Sequence, residues 1–293
     1  MKLWGKFLRS TYKIAASPWL RKAQAKSLEN VLKQSVELLE PEMVSEIRSF
    51  ILRNQTAEGG FADRAGKCDL YYTLFGYYVA EALDMTEVQQ PLRSYIAKVV
   101  DRDSLSGVHL YCAAILYAKV SQWDHHCVKL ARQVKADIKE VRHQQSEYTN
   151  FLGILALYYL EDFVGIRQIL NKYKTFTFPA TLPCPVTAAT AILLETAGRP
   201  DKSAAEKLLA FYRGKGGFAA TKQAPAEDLL STAVALYALN FIGADLRLVK
   251  PECLSFIDEL YDNGGFRSMP VDVETDVEYT FYGLLGLGAL STP

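Results

Sequence analysis

The sequence predicts an all-α protein, an (α/α)6 toroid of six helical hairpins closed into a ring. Three observations carry that expectation. Gly-Gly-Phe is spelled three times, in AEGGF (57–61), GKGGF (214–218) and DNGGF (262–266), each time between two apolar stretches. Aligned on Thr73, His109, Thr149, Thr187, Thr232 and Thr280, six apolar segments recur at intervals of 36, 40, 38, 45 and 48 residues, a helical-repeat period. The last segment, FYGLLGLGAL, is as apolar as any, whereas an open stack of repeats needs a polar cap at each end. A ring has no ends to cap.

Residues 1–30 read as a basic amphipathic extension and 31–293 as a single toroid domain. Lys2, Lys6, Arg9, Lys13, Arg21, Lys22 and Lys26 make the first 26 residues basic with no acid, so the rest of this neutral chain is acidic. Leu3, Trp4, Phe7, Leu8 and Ile14 fall along one helical side. Such a helix suits peripheral contact with an anionic membrane or docking on the body of the protein. The first, fifth and sixth hairpins then share one plan. An amphipathic outer helix introduced by proline comes first: EPEMVSEIRSFILRNQ, RPDKSAAEKLLAFYRG and VKPECLSFIDELYD. Proline suits a first helical turn, and glycine the left-handed residue that ends a helix. A polar loop and an acid lead to an inner helix apolar nearly all round, hence buried on most sides: DLYYTLFGYYVAEAL, DLLSTAVALYALNFIG and DVEYTFYGLLGLGAL. HLYCAAILYAKV, TNFLGILALYYL and TAATAILLETAG supply the inner helices of the other three. Recurrent Gly and Ala on these helices are expected to let them crowd around the axis.

Composition narrows the function classes. No apolar run reaches the ~18 residues that span a bilayer. Five scattered cysteines without a CxxC pair or secretory segment point to a reduced, cytoplasmic setting, with membrane association through residues 1–26 left open. An acidic body without a basic aromatic stripe argues against nucleic acid. Phosphate-loop, dinucleotide, HExxH and GxSxG motifs are absent. WDHHC (123–127) holds two His and a Cys where an outer helix begins. Adjacent helical side chains diverge by ~100°, so no zinc site is read there.

GGFADRAGKCDLYYTLFGYYVAEAL and GGFRSMPVDVETDVEYTFYGLLGLGAL resemble the repeats of protein prenyltransferase β subunits, and more distantly those of squalene–hopene and other class II terpene cyclases. The resemblance implies the toroid and an isoprenoid in its cavity. It also implies a zinc site, with Asp228 at the Asp position, Leu230 at the Cys position and Tyr279 at the His position. One ligand of three survives, so zinc is not expected and zinc-dependent cysteine prenylation is not supported. Mg²⁺ is allowed but not demanded. Because prenyltransferase β subunits pair with an α subunit, a protein partner is a further expectation, and a non-catalytic lipid- or protein-binding toroid an alternative.

On that resemblance, Arg64, Lys67, Lys222, Arg267 and His109 are candidates to face a diphosphate. Asp69, Asp228 and Asp276 each stand four residues before an aligned Thr, the place of a helix N-cap, and are candidate acid–base groups as well. DVEYT (276–280) partly resembles the Asp-x-Asp-Asp-Thr acid motif of class II cyclases, with Glu278 at the acid position and Tyr279 beside it. A carboxyl group in a dry aromatic cavity has a raised pKa and can serve as an acid. Tyr71, Tyr72 and Tyr282, in the first turns of inner helices, are candidate walls of the ligand cavity.

Overall fold

The computed structural model describes residues 25–101, 105–140, 147–179, 181–214 and 216–291. The basic segment 1–24, with its membrane expectation, and Lys215 lie outside them. A short helix, α1 (Leu28–Val36), precedes six outer–inner pairs. These are α2 (Pro41–Asn54) with α3 (Leu70–Ala82), α4 (Gln89–Val100) with α5 (Gly107–Val120), and α6 (His125–Glu140) with α7 (Glu147–Tyr159). Then come α8 (Phe163–Leu170) with α9 (Cys184–Thr196), α10 (Ala204–Leu209) with α11 (Leu229–Ile242), and α12 (Lys250–Glu259) with α13 (Val277–Ser291).

Each inner helix packs on the next, and α13 packs back on α3, so the ring closes. The inner helices are buried on nearly every side; Tyr111, Cys112, Ala113, Ala114, Ile115 and Leu116 form an unbroken inaccessible run in α5. Outer helices show the opposite pattern: in α2 only Ile47, Phe50 and Ile51 are buried. Pro41 and Pro251 occupy first helical turns as expected. Pro200 does not, because α10 starts only at Ala204. Asp201 instead gathers the Ser203 amide and hydroxyl at 2.8 and 2.6 Å.

Gly-Gly-Phe does more than end a helix. In all three copies the first glycine has positive φ: +103° at Gly59, +101° at Gly216 and +90° at Gly264. An added Cβ would stand 2.1–2.3 Å from a carbonyl oxygen of the next outer helix, that of Pro91, Glu252 or Glu46. Only glycine fits both demands. For Gly264 the next outer helix is α2 of the first hairpin, so the third copy is part of the closure. The phenylalanine then begins a short antiparallel pairing that the all-helical expectation omitted. Phe61 pairs with Asp69, Phe218 with Asp228 and Phe266 with Asp276. Named strands are β1 (Phe61–Ala62) with β2 (Cys68–Asp69), and β3 (Tyr261–Asp262), β4 (Gly265–Arg267) and β5 (Thr275–Asp276) in the sixth hairpin.

The aligned threonines complete this joint. Thr73, Thr232 and Thr280 accept the amide N–H of Phe61, Phe218 and Phe266 at 2.8, 2.8 and 3.3 Å. Each donates its hydroxyl to the main-chain carbonyl of the preceding Asp. A buried amide left unpaired costs about 1–3 kcal/mol, which accounts for a threonine at a position that packing alone would give to valine.

Several of the small inner-helix residues serve a different contact from the one expected. A Cβ on Gly76 or Gly283 would collide with the ring of Phe61 or Phe266, and one on Gly153 or Gly286 with Ile138 of α6 or Ile257 of α12. These glycines admit side chains from the outer layer. Ala188 and Ala189 do face the central space. Helix α1 packs across α13 and α3, and Gly288 lets the Val31 carbonyl approach α13.

An aromatic lumen beneath a charged rim: the candidate functional site

Inner-helix N-termini gather at one end of the toroid, and their first turns place the candidate residues. All three expected Asp caps form. Asp69 accepts the amides of Tyr71 and Tyr72 at 2.8 and 3.0 Å, Asp228 that of Ser231 at 2.7 Å, and Asp276 that of Tyr279 at 2.8 Å. Burial pushes the carboxyls of Asp228 and Asp276 upward despite these bonds.

Arg64 spans the seam between the first and sixth hairpins. Its Nε donates to Asp276 at 2.6 Å and its terminal nitrogen to Asp272 at 2.9 Å. Its guanidinium carbon lies 5.3 Å from the Tyr279 ring centroid. Burial would raise Asp272, but the Ser268 hydroxyl and Arg64 outweigh it and hold the group at about 2. Arg267 is likewise engaged, donating to the carbonyls of Glu259, Pro270 and Asp272. His109 stands 3.6 Å from Asp69 with its side chain more than half exposed. Lys67 and Lys222 are exposed on the loops of the first and fifth hairpins. Of these candidates, then, the two arginines are already engaged by acids and carbonyls, and the two lysines extend from separate loops.

Just inside the rim lies Glu278, 9% exposed. Burial pushes its carboxyl up to about 7, the negative charge of Asp276 adds to the rise, and a hydrogen bond with Tyr71 together with Arg64 opposes it. The Tyr71 hydroxyl also meets that of Tyr148 at 3.2 Å. Tyr72 lies near the same acids, and burial with the charges of Asp276 and Glu278 pushes its phenol to about 12. Below, Phe75 packs on Tyr71, Phe281 and Tyr282 with ring centroids 4.7, 4.8 and 5.4 Å apart. Phe75, Phe281 and Tyr282, with Leu74, Tyr148, Phe151, Ala188, Val234 and Leu285, line an apolar cavity of about 60 Å³. Of the expected tyrosine walls Tyr282 is one, while Tyr71 and Tyr72 stand outside the lining, Tyr71 next to it through Tyr148. A second cavity of about 90 Å³ continues toward the inner-helix C-termini. Leu28 of α1 lines both.

The far end holds a half-buried polar cluster that no motif in the sequence marked. Lys119 lies 2.6 Å from Glu29 of α1 and 2.7 Å from Glu81. Its ammonium is 4.8 Å from the centroid of Tyr159, whose hydroxyl also donates to Glu29. Lys26 donates to the carbonyls of Asn240 and Phe241 at 2.6 and 2.9 Å. Together these contacts fasten the start of α1 into the base of the ring.

The donor set at the position of the family's zinc does not fit that metal. Asp228 is taken up as a helix cap, Leu230 offers no ligand atom, and the neutral phenol of Tyr279 lies under Arg64. The family model of the prenyltransferase alpha-alpha toroid domain matches residues 25–134 and 185–291. No curated protein matches the chain significantly.

Proposed function

The chain belongs to the prenyltransferase alpha-alpha toroid family, and from that premise we propose that it binds a neutral isoprenoid or similar lipid chain in its lumen, polar end toward Glu278 and Tyr71. The observation that carries this reading is the pairing of Arg64 with Asp272 and Asp276 directly above a buried, protonatable Glu278. A diphosphate needs several convergent cations, and here the arginine nearest Glu278 is already paired with two acids. A protonated carboxyl and a tyrosine hydroxyl suit an alcohol or carbonyl oxygen, and the aromatic rings suit the hydrocarbon.

Thermal denaturation with farnesol, geranylgeraniol, squalene and farnesyl diphosphate, each with and without Mg²⁺, tests this. A ligand that binds only the folded state raises the melting temperature by mass action. The alcohols should raise it more than the diphosphate, and Tyr71→Phe should shrink the rise. Stabilisation by the diphosphate alone would overturn the proposal. A second reading rests on the same carboxyl: Glu278 acts as the acid in cyclase-like protonation of a bound chain. Product analysis by mass spectrometry distinguishes it, because Glu278→Gln would then abolish turnover of a substrate it still binds.

A further inference from the structure

We propose that Asp124, His125 and His126, at the start of the outer helix α6, form a binding site for a divalent transition metal of the zinc class. None of these residues lines the lumen, and the reading does not depend on the lipid proposal. Their ligand atoms lie within 4.8 Å of one another. Divergence along a helix would separate two adjacent histidines, yet at this first turn the rings of His125 and His126 have centroids 3.9 Å apart.

The spacing suits metal chelation. Asp124 Oδ2 and His126 Nδ1 are 2.9 Å apart. Two donors at ~2.0–2.1 Å from one zinc ion, at angles between square and tetrahedral, stand roughly 2.9–3.4 Å apart. Asp124 is held in place by its other oxygen, which accepts the amides of His126 and Cys127 at 2.9 and 3.3 Å. The far nitrogen of His126, Nε2, faces Asp101 Oδ1 at 3.2 Å. A metal ion entering here displaces the hydrogen bonds that Nδ1 makes with Asp124 Oδ2 and the Tyr117 hydroxyl, while the Asp101 carboxylate accepts from Nε2, the arrangement that orients histidine ligands in zinc sites. The Tyr117 hydroxyl, 2.7 Å from Asp124 Oδ2, supports the carboxylate from the inner layer. Two imidazoles and a carboxylate favour Zn²⁺, Co²⁺, Ni²⁺ or Cu²⁺ over Mg²⁺ or Ca²⁺, and the three leave a fourth position open.

The test is titration of the chelator-treated full chain with Zn²⁺ by calorimetry and with Co²⁺ by visible absorption. One equivalent should bind. His125→Ala and His126→Ala should each weaken binding at least tenfold. Asp124→Asn, which keeps a capping oxygen, should do the same without loss of helical circular dichroism. Asp101→Asn, acting through His126, should weaken binding about tenfold, the usual size of such outer-carboxylate effects, while the metal-free melting temperature stays near that of the parent. Absence of saturable binding, or binding indifferent to both histidine variants, would overturn the site.

Discussion

Glu278 shows how one side chain couples the lumen to pH. Its carboxyl sits near 4.5 in an exposed reference and about 7 in the folded protein. The folded state therefore holds its proton more tightly than the unfolded chain. The stability linked to that proton is fully present below about pH 4.5 and is lost as the pH rises through 7, on the order of 3 kcal/mol for a shift of this size. Glu278→Gln removes the titration while keeping an oxygen for Tyr71. Urea unfolding at pH 4.5 and pH 8 should show the variant gaining on the parent by up to ~3 kcal/mol at the higher pH. A difference that does not change with pH would mean that Glu278 titrates normally. The same residue marks a limit of sequence reading. DVEYT placed an acid at the start of an inner helix, but nothing local told that Arg64, 214 positions away, would be claimed by Asp276 and Asp272. Asp272 has no repeat position and no motif, and only the closing of the ring brings Arg64 to it.

At the scale of the element, the inner helices were the most legible part, because a helix apolar all round has only one place to go. The threonine register and the Asp caps were legible for a similar reason, as local hydrogen-bonding needs that recur at fixed offsets. The short strands were not, since two paired residues leave no period to detect. Nor did the glycine doublets reveal their closest contacts, which lie on the neighbouring hairpin. That contact sets a clear expectation. Gly59→Ala would face both a φ of +103° and a carbonyl at 2.2 Å, whereas Gly198→Ala would have a φ of +71° in open space. A left-handed alanine alone costs roughly 1–2 kcal/mol, so the second variant should lose about that much. The first should lose clearly more, because two backbones must separate. Equal losses in denaturant unfolding would show that the close approach between hairpins is dispensable.

For the whole molecule, closure leaves a narrow lumen interrupted at one place by a segment from outside the repeat. Leu28 belongs to α1, not to any hairpin, and its side chain contributes to the walls of both cavities. At about 60 and 90 Å³ neither holds a long prenyl chain without movement of its lining. The start of α1 is fastened by Lys26 and Glu29, so removing the Leu28 side chain should widen the passage without releasing the helix. Truncation of a buried leucine to alanine costs about 2–5 kcal/mol, and Leu28→Ala should melt earlier than the parent by a corresponding amount. The empty space is apolar, and a hydrocarbon that fills it restores part of the lost contact, as apolar ligands do in other engineered cavities. The rise in melting temperature produced by farnesol should therefore be larger in Leu28→Ala than in the parent. If the variant loses stability but responds to farnesol no more than the parent does, Leu28 is simply a core residue of the base, and a bound chain would have to lie against the rim aromatics alone.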